Sequence, residues 1–131
     1  MTMTIDLWML VYTSLLCLGL PLVYVSGELT VPGGIPWGFG NRDKPMEFPQ
    51  WIARAKRAHA NLVENLAPFA VLVLAAHLAG KANETTALGA AIFFWARVAH
   101  AAVYTAGIPY VRTATFFVGV VGEVMILMQL F

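Results

Sequence analysis

Charge is what this sequence has least of. Only 11% of its 131 residues are Asp, Glu, Lys or Arg, while 60% are hydrophobic and the net charge is +1. A soluble globular domain carries about twice that charged fraction, so that class is excluded. Cysteine is nearly absent too. The single Cys17 rules out an intramolecular disulfide and, lying in an apolar run, reads as a packing residue. Three histidines and this one cysteine form no zinc-ligand spacing, so no metal is assigned. No basic stretch interleaved with aromatics supports nucleic-acid binding. There is no internal repeat and no low-complexity tract.

What is present is a series of long apolar runs. Residues 7–27 hold no charged side chain, and a helix of that length crosses a hydrocarbon core roughly 30 Å thick. Asp6 precedes the run without any Lys or Arg, and no small-x-small cleavage pattern stands out, so a retained span is expected rather than a cleaved signal. The spacing of charges and breaks predicts helices over 5–26, 49–79, 84–106 and 111–131. The short polar link Lys81, Ala82, Asn83 fits antiparallel neighbours. Segment 28–48 carries Pro32, Gly33, Gly34, Pro36, Gly38, Gly40 and Pro45 and is read as a loop or lid, since such residues do not continue a helix. The expected fold is one all-α integral membrane domain over 1–131, a bundle of four transmembrane helices.

Lys and Arg set the orientation, because translocation disfavours them. Arg42, Lys44, Arg54, Lys56, Arg57 and Arg112 lie on one side, and Lys81 on the other. The basic side is expected in the cytoplasm and both termini outside it. Trp8, Trp37, Trp51, Tyr24 and Tyr110 fit aromatic belts at the two interfaces. Gly89, Ala90, Ala91, Ala99, Ala102, Gly119 and Gly122 suit close helix packing in lipid.

Against this apolar background two polar patterns stand out. Arg57, Asn61, Glu64 and Pro68 fall within about 60° of one another at 100° per residue, one stripe of the second predicted helix. Arg97, His100 and Tyr104 form a second stripe, followed by Gly107, Pro109 and Arg112. Ionisable groups at membrane depth are expensive and are seldom there without a task. Arg54, Arg57, Arg97 and Arg112 outnumber Glu64 and Glu123 in the same half of the bundle, leaving positive charge that suits an anionic, carboxylate-bearing ligand. A second reading stays open: Arg57 with Glu64, or Arg97 with Glu123, serve as structural ion pairs between helices. His59, on the face opposite Arg57, and His77, in an apolar run, read as packing or interfacial residues.

The segments RAKRAHANLVENLAPF (54–69) and ARVAHAAVYTAGIPYVRT (96–113) resemble the MAPEG family, membrane-associated proteins in eicosanoid and glutathione metabolism, most nearly its bacterial branch. The resemblance covers about the last two thirds of the chain. It implies a homotrimer in a bacterial inner membrane, with cytoplasm-facing sites between subunits and glutathione as co-substrate. Position by position, it implies that Arg57, Asn61, Glu64, Arg97, His100 and Tyr104 bind the tripeptide and that Arg112 holds its thiolate. The implied activity is a glutathione-dependent transferase or peroxidase working on a lipophilic electrophile or lipid hydroperoxide.

Three positions depart from the synthases of that family. Ala60 replaces a second arginine, Glu28 stands where a cation often reaches a ligand carboxylate, and Phe116 stands where some members have tyrosine, with Thr113 keeping one hydroxyl nearby. The family also contains non-catalytic members that bind lipids. The alternative expectation is therefore a non-enzymatic protein that binds a lipid or anionic metabolite in the same intersubunit pocket.

Overall fold

A computed structural model describes residues 2–131. Its helices are α1 (Ile5–Thr30), α2 (Gly34–Phe39), α3 (Gln50–Leu78), α4 (Glu84–Ala106) and α5 (Pro109–Met128). All but α2 are long and apolar enough to cross a membrane. They form an all-α bundle of four transmembrane helices. At 1.5 Å per residue, the 26 residues of α1 and the 29 of α3 exceed what a bilayer core requires, so both project into an interface.

The helix boundaries have local causes. Asn83 caps α4: its Oδ1 accepts from the backbone N–H groups of Thr85 and Thr86, and Thr86 Oγ1 accepts from the Asn83 N–H. Gly107 ends α4 in a left-handed conformation (φ 86°), and Pro109 opens α5, where its missing N–H has no helical partner to lose.

Segment 28–48 corrects the expectation of an uninterrupted loop. Helix α1 continues through Glu28 to Thr30, and residues 34–39 add a further turn and a half of helix. Pro36 is tolerated because it falls in the first turn of α2, where N–H groups are unsatisfied in any case. The segment is tied down by its aromatics. Trp37 Nε1 donates to the Lys44 carbonyl at 2.8 Å, and the Trp37 and Phe48 rings meet edge to face. The last helix likewise begins at Pro109 and stops at Met128, earlier at both ends than 111–131.

The core lies between α3, α4 and α5, where Phe69 and Phe93 stack with ring centroids 4.0 Å apart among Val73, Ala76, Ala90 and Ile126. Helices α4 and α5 approach most closely at Gly89 and Gly122. A Cβ on Gly89 would stand 2.6 Å from the Gly122 carbonyl oxygen, so no larger residue fits without moving a helix. Without a hydrophobic drive between helices in lipid, such backbone proximity is what holds them together.

Two ends of the bundle can then be distinguished. At one, Asp6 is buried to 1% exposure and is bonded by Thr4 Oγ1, the Leu7 N–H and Thr86 Oγ1, while Asn83 Nδ2 donates to Gln129 Oε1. At the other lie the α4–α5 turn and most of the polar residues singled out by the sequence.

Candidate functional site

The polar residues of α4 are placed by the α4–α5 turn. With α5 folding straight back after Ile108, its first turns run beside the last turns of α4, which brings Arg112 next to Tyr104. The guanidinium carbon of Arg112 lies 4.7 Å from the Tyr104 ring centroid, and that of Arg57 on α3 lies 5.9 Å from the same ring. Two cations thus flank one phenol, a cation–π arrangement. His100 stands one turn deeper, nearly buried, its ring perpendicular to Tyr104 at 5.4 Å.

These side chains border a cavity of about 280 Å³ lined by Asn61, His100, Tyr104, Arg112, Thr113 and Phe116. The lining holds a guanidinium, a phenol, an amide, a hydroxyl and an imidazole, and no carboxylate. Such a set offers donors and positive charge, and so accommodates an anion. The apolar wall of Phe116 lies against His100 at 6.3 Å.

Of the seven residues expected in the site, four line this cavity: Asn61, His100, Tyr104 and Arg112. Arg57 reaches its Tyr104 wall. Arg97 lies behind it, at 1% exposure, donating through Nη2 to Asn61 Oδ1 at 2.5 Å. Glu64 is not brought in at all and faces outward from α3. The stripe that helical geometry drew as one therefore divides, with Asn61 turned inward toward α4 while Arg57 and Glu64 stay exposed.

Neither suggested ion pair forms directly. Arg57 and Glu64 are two helical turns apart, about 10 Å along one helix. Arg97 and Glu123 interact at longer Coulombic range without an N···O contact within salt-bridge distance. The ion pair present among the described residues joins Lys56 to Glu28, whose carboxylate is 1% exposed. No spacing along the sequence marks that pair, because Glu28 and Lys56 lie on different helices and Glu28 falls in a segment read as loop. Arg54 is diverted as well. Its Nε donates to the Thr105 carbonyl at 2.9 Å and its guanidinium covers Gly107, capping the negative end of α4. Thr113 and Phe116 belong to the cavity and were legible, since they fall beside Arg112 and one turn after it.

His59 and Cys17 lie apart from the cavity, at the contact between α1 and α3. His59 bridges Tyr24 OH (3.2 Å) and Cys17 Sγ (3.7 Å) between α1 and α3. Among the described residues no cluster of His, Cys, Asp and Glu has the geometry of a metal site.

Fold and cavity together define an integral, multi-pass membrane protein with a cationic pocket between three helices at one end of its bundle. The chain belongs to the MAPEG family, whose model matches residues 8–131. The match extends beyond the two motifs to include α1. Microsomal glutathione S-transferase 1 from Rattus norvegicus and from Mus musculus are each 34% identical over 86 residues, covering 63% of this chain and 56% of theirs. The Homo sapiens protein of that name is 34% identical over 80 residues, 60% of this chain and 52% of its own. The chain thus spans about half the length of the curated relatives it matches. No solved structure matches it significantly.

Proposed function

We propose that this protein is a membrane-bound glutathione-dependent transferase or peroxidase acting on a lipophilic electrophile or lipid hydroperoxide. The observation that carries the reading is the cavity whose lining brings Arg112 together with Tyr104, His100 and Asn61 and contains no carboxylate. The relatives named glutathione S-transferase support glutathione as the anion. Arg112 stabilises the thiolate; Arg57, Asn61, His100 and Tyr104 bind the tripeptide.

The chemistry follows from the charge. A free cysteine thiol has a pKa of about 8.5, so only a few per cent is nucleophilic at neutral pH. A guanidinium within about 4 to 6 Å lowers an acidic pKa by roughly 1 to 3 units, each worth about 1.4 kcal/mol. Arg112 can thereby turn a mostly protonated thiol into a mostly ionised one. The thiolate sulfur bonds to the electrophilic carbon and displaces its leaving group; with a hydroperoxide it takes the terminal oxygen, the O–O bond breaks to release the alcohol, and a second glutathione converts the sulfenic acid to disulfide and water. Because the second substrate is lipophilic, it arrives from the bilayer around α4 and α5.

The assembly proposed is a homotrimer with sites between subunits, in a bacterial inner membrane, termini outside and sites toward the cytoplasm. Supporting the trimer, Arg57, Ala60, Glu64, Ala67, Val71, Leu74 and Leu78 form an exposed stripe on α3 at alternating spacings of three and four. That is the pattern of a helix–helix seam. It carries two charges too costly to leave against lipid. A second copy against this face brings Glu64 toward a site it does not reach within one chain.

A non-enzymatic reading, in which the pocket binds a lipid or anionic metabolite, is favoured by one observation. The end of α1 offers a ligand no cation, because Glu28 is buried there against Lys56. Ultraviolet difference spectroscopy of the detergent-purified protein, titrated with glutathione at neutral pH, separates the two. A saturable thiolate band, absent with S-methylglutathione, is expected. No band at saturating glutathione would overturn the transferase reading in favour of lipid binding.

A further inference from the structure

We infer that Arg97 is a positioning residue: it locks the Asn61 amide so that its NH₂ group, and not its oxygen, faces the cavity. The inference rests on the functional reading above and assigns a specificity element to the same site. A guanidinium has donors only, so the amide atom facing it is the acceptor oxygen, whichever way an amide is drawn. Arg97 Nη2 meets Asn61 Oδ1 at 2.5 Å, while the Asn61 amide nitrogen has no protein partner among the described residues. Asn61 lines the cavity and Arg97 does not. The remaining Asn61 donor is therefore offered to the ligand, where it selects an acceptor such as a carboxylate or thiolate.

The rest of Arg97 is built to stay where it is. Its Cδ packs at the bare Cα of Gly119, where an added Cβ would stand 3.7 Å away, and its guanidinium carbon lies 6.0 and 5.9 Å from the centroids of the Phe93 and Phe116 rings. Glu123, one turn after Gly119 on α5, lies within Coulombic range and has a buried Oε1 without a hydrogen-bond partner. A buried cation with a distant counter-charge has Asn61 as its one hydrogen-bonded protein partner, so the amide is held firmly.

The test is a double-mutant cycle on the purified protein, reading kcat and KM for glutathione. Asn61→Leu is compared with Arg97→Met/Glu123→Gln, which removes both the buried cation and its partly buried counter-charge at nearly constant volume, and with the combination of all three. Each is expected to raise KM for glutathione about tenfold, the factor lost with one hydrogen bond to a charged group, while kcat changes less. The combination is expected to be no worse than Asn61→Leu alone, since both act through one amide. Additive losses, or an unchanged KM in Arg97→Met/Glu123→Gln, would overturn the inference. Asn61→Asp guards against misfolding: it gives Arg97 an ionic partner, so thermal stability is expected to be kept while glutathione affinity falls at least tenfold. Full affinity in that variant would also overturn it. A wild-type protein that neither binds nor turns over glutathione would instead defeat the functional reading.

Discussion

The two ends of this bundle bury charge in opposite ways. Asp6 and Arg97 are equally hidden, at 1% exposure. The Asp6 carboxylate accepts from Thr4 Oγ1 and the Leu7 N–H through one oxygen, and its other oxygen lies 3.3 Å from Thr86 Oγ1, whose single proton it shares with the Asn83 carbonyl. The Arg97 guanidinium makes one bond, to Asn61, and leaves Nε and Nη1 without partners. A buried polar group that serves only the fold closes its own network, because each unmade hydrogen bond costs about 1–3 kcal/mol. Around Arg97 that closure is given up, and donors and positive charge gather about a cavity instead, although Glu28 at the same end is closed by Lys56. Between the two lie the Gly89–Gly122 contact and the Phe69–Phe93 stack.

This division can be broken most severely in the middle. Gly122→Leu drives a side chain into the Gly89 carbonyl and the Phe93 amide, and is expected to cost about 3 kcal/mol or more. Thermal unfolding in detergent measures it, and a melting temperature equal to wild type would show that the glycine contact does not hold the helices. At the Asp6 end, Thr86→Val keeps the shape but removes the hydroxyl that donates to Asp6 and accepts from Asn83, a loss of about 2 kcal/mol of stability. Its turnover per folded protein is expected to stay at the wild-type value; reduced turnover at equal folding would mean that the ends are coupled.

At the opposite end, Arg112→Ala is expected to do the reverse. Assembly, glutathione binding and melting temperature stay, while turnover falls at least tenfold, about 1.4 kcal/mol in the barrier. Unchanged turnover would remove Arg112 from the chemistry. The smallest effect belongs to the α4 cap. Asn83→Ala is expected to cost about 1 kcal/mol, read as a modest drop in melting temperature with no change in KM.

The legibility of the molecule follows the range of the interactions involved. The four spanning helices were readable because hydrocarbon imposes one requirement, an unbroken run of apolar residues, that any single segment satisfies or fails by itself. The turn at Gly107 and Pro109 and the cap at Asn83 were equally local. The pairing of Tyr104 with Arg112 was within reach, since a two-residue turn between antiparallel helices leaves little choice of register. Less readable was anything that depended on how α3 is rotated against α4. Helical periodicity placed Arg57, Asn61 and Glu64 on one stripe, but a few tens of degrees of rotation decide that Asn61 meets Arg97 while Glu64 faces away. The same holds for Glu28. Its burial by Lys56 requires α1 to continue through a glycine- and proline-rich region and lie beside α3.

By itself, then, the sequence determined that this is a four-span membrane bundle of the MAPEG type, that its ionisable residues concentrate toward one end, and that this end is cationic. Those are properties of composition, periodicity and motif, each set by the chain's encounter with lipid and by spacing along one helix. Tertiary structure decided which arginine does what. Arg54 caps α4, Arg57 and Arg112 flank Tyr104, and Arg97 goes beneath the cavity to hold Asn61. The physical reason is that a guanidinium's role is set by its partner within a few ångströms, and that partner sits on another helix.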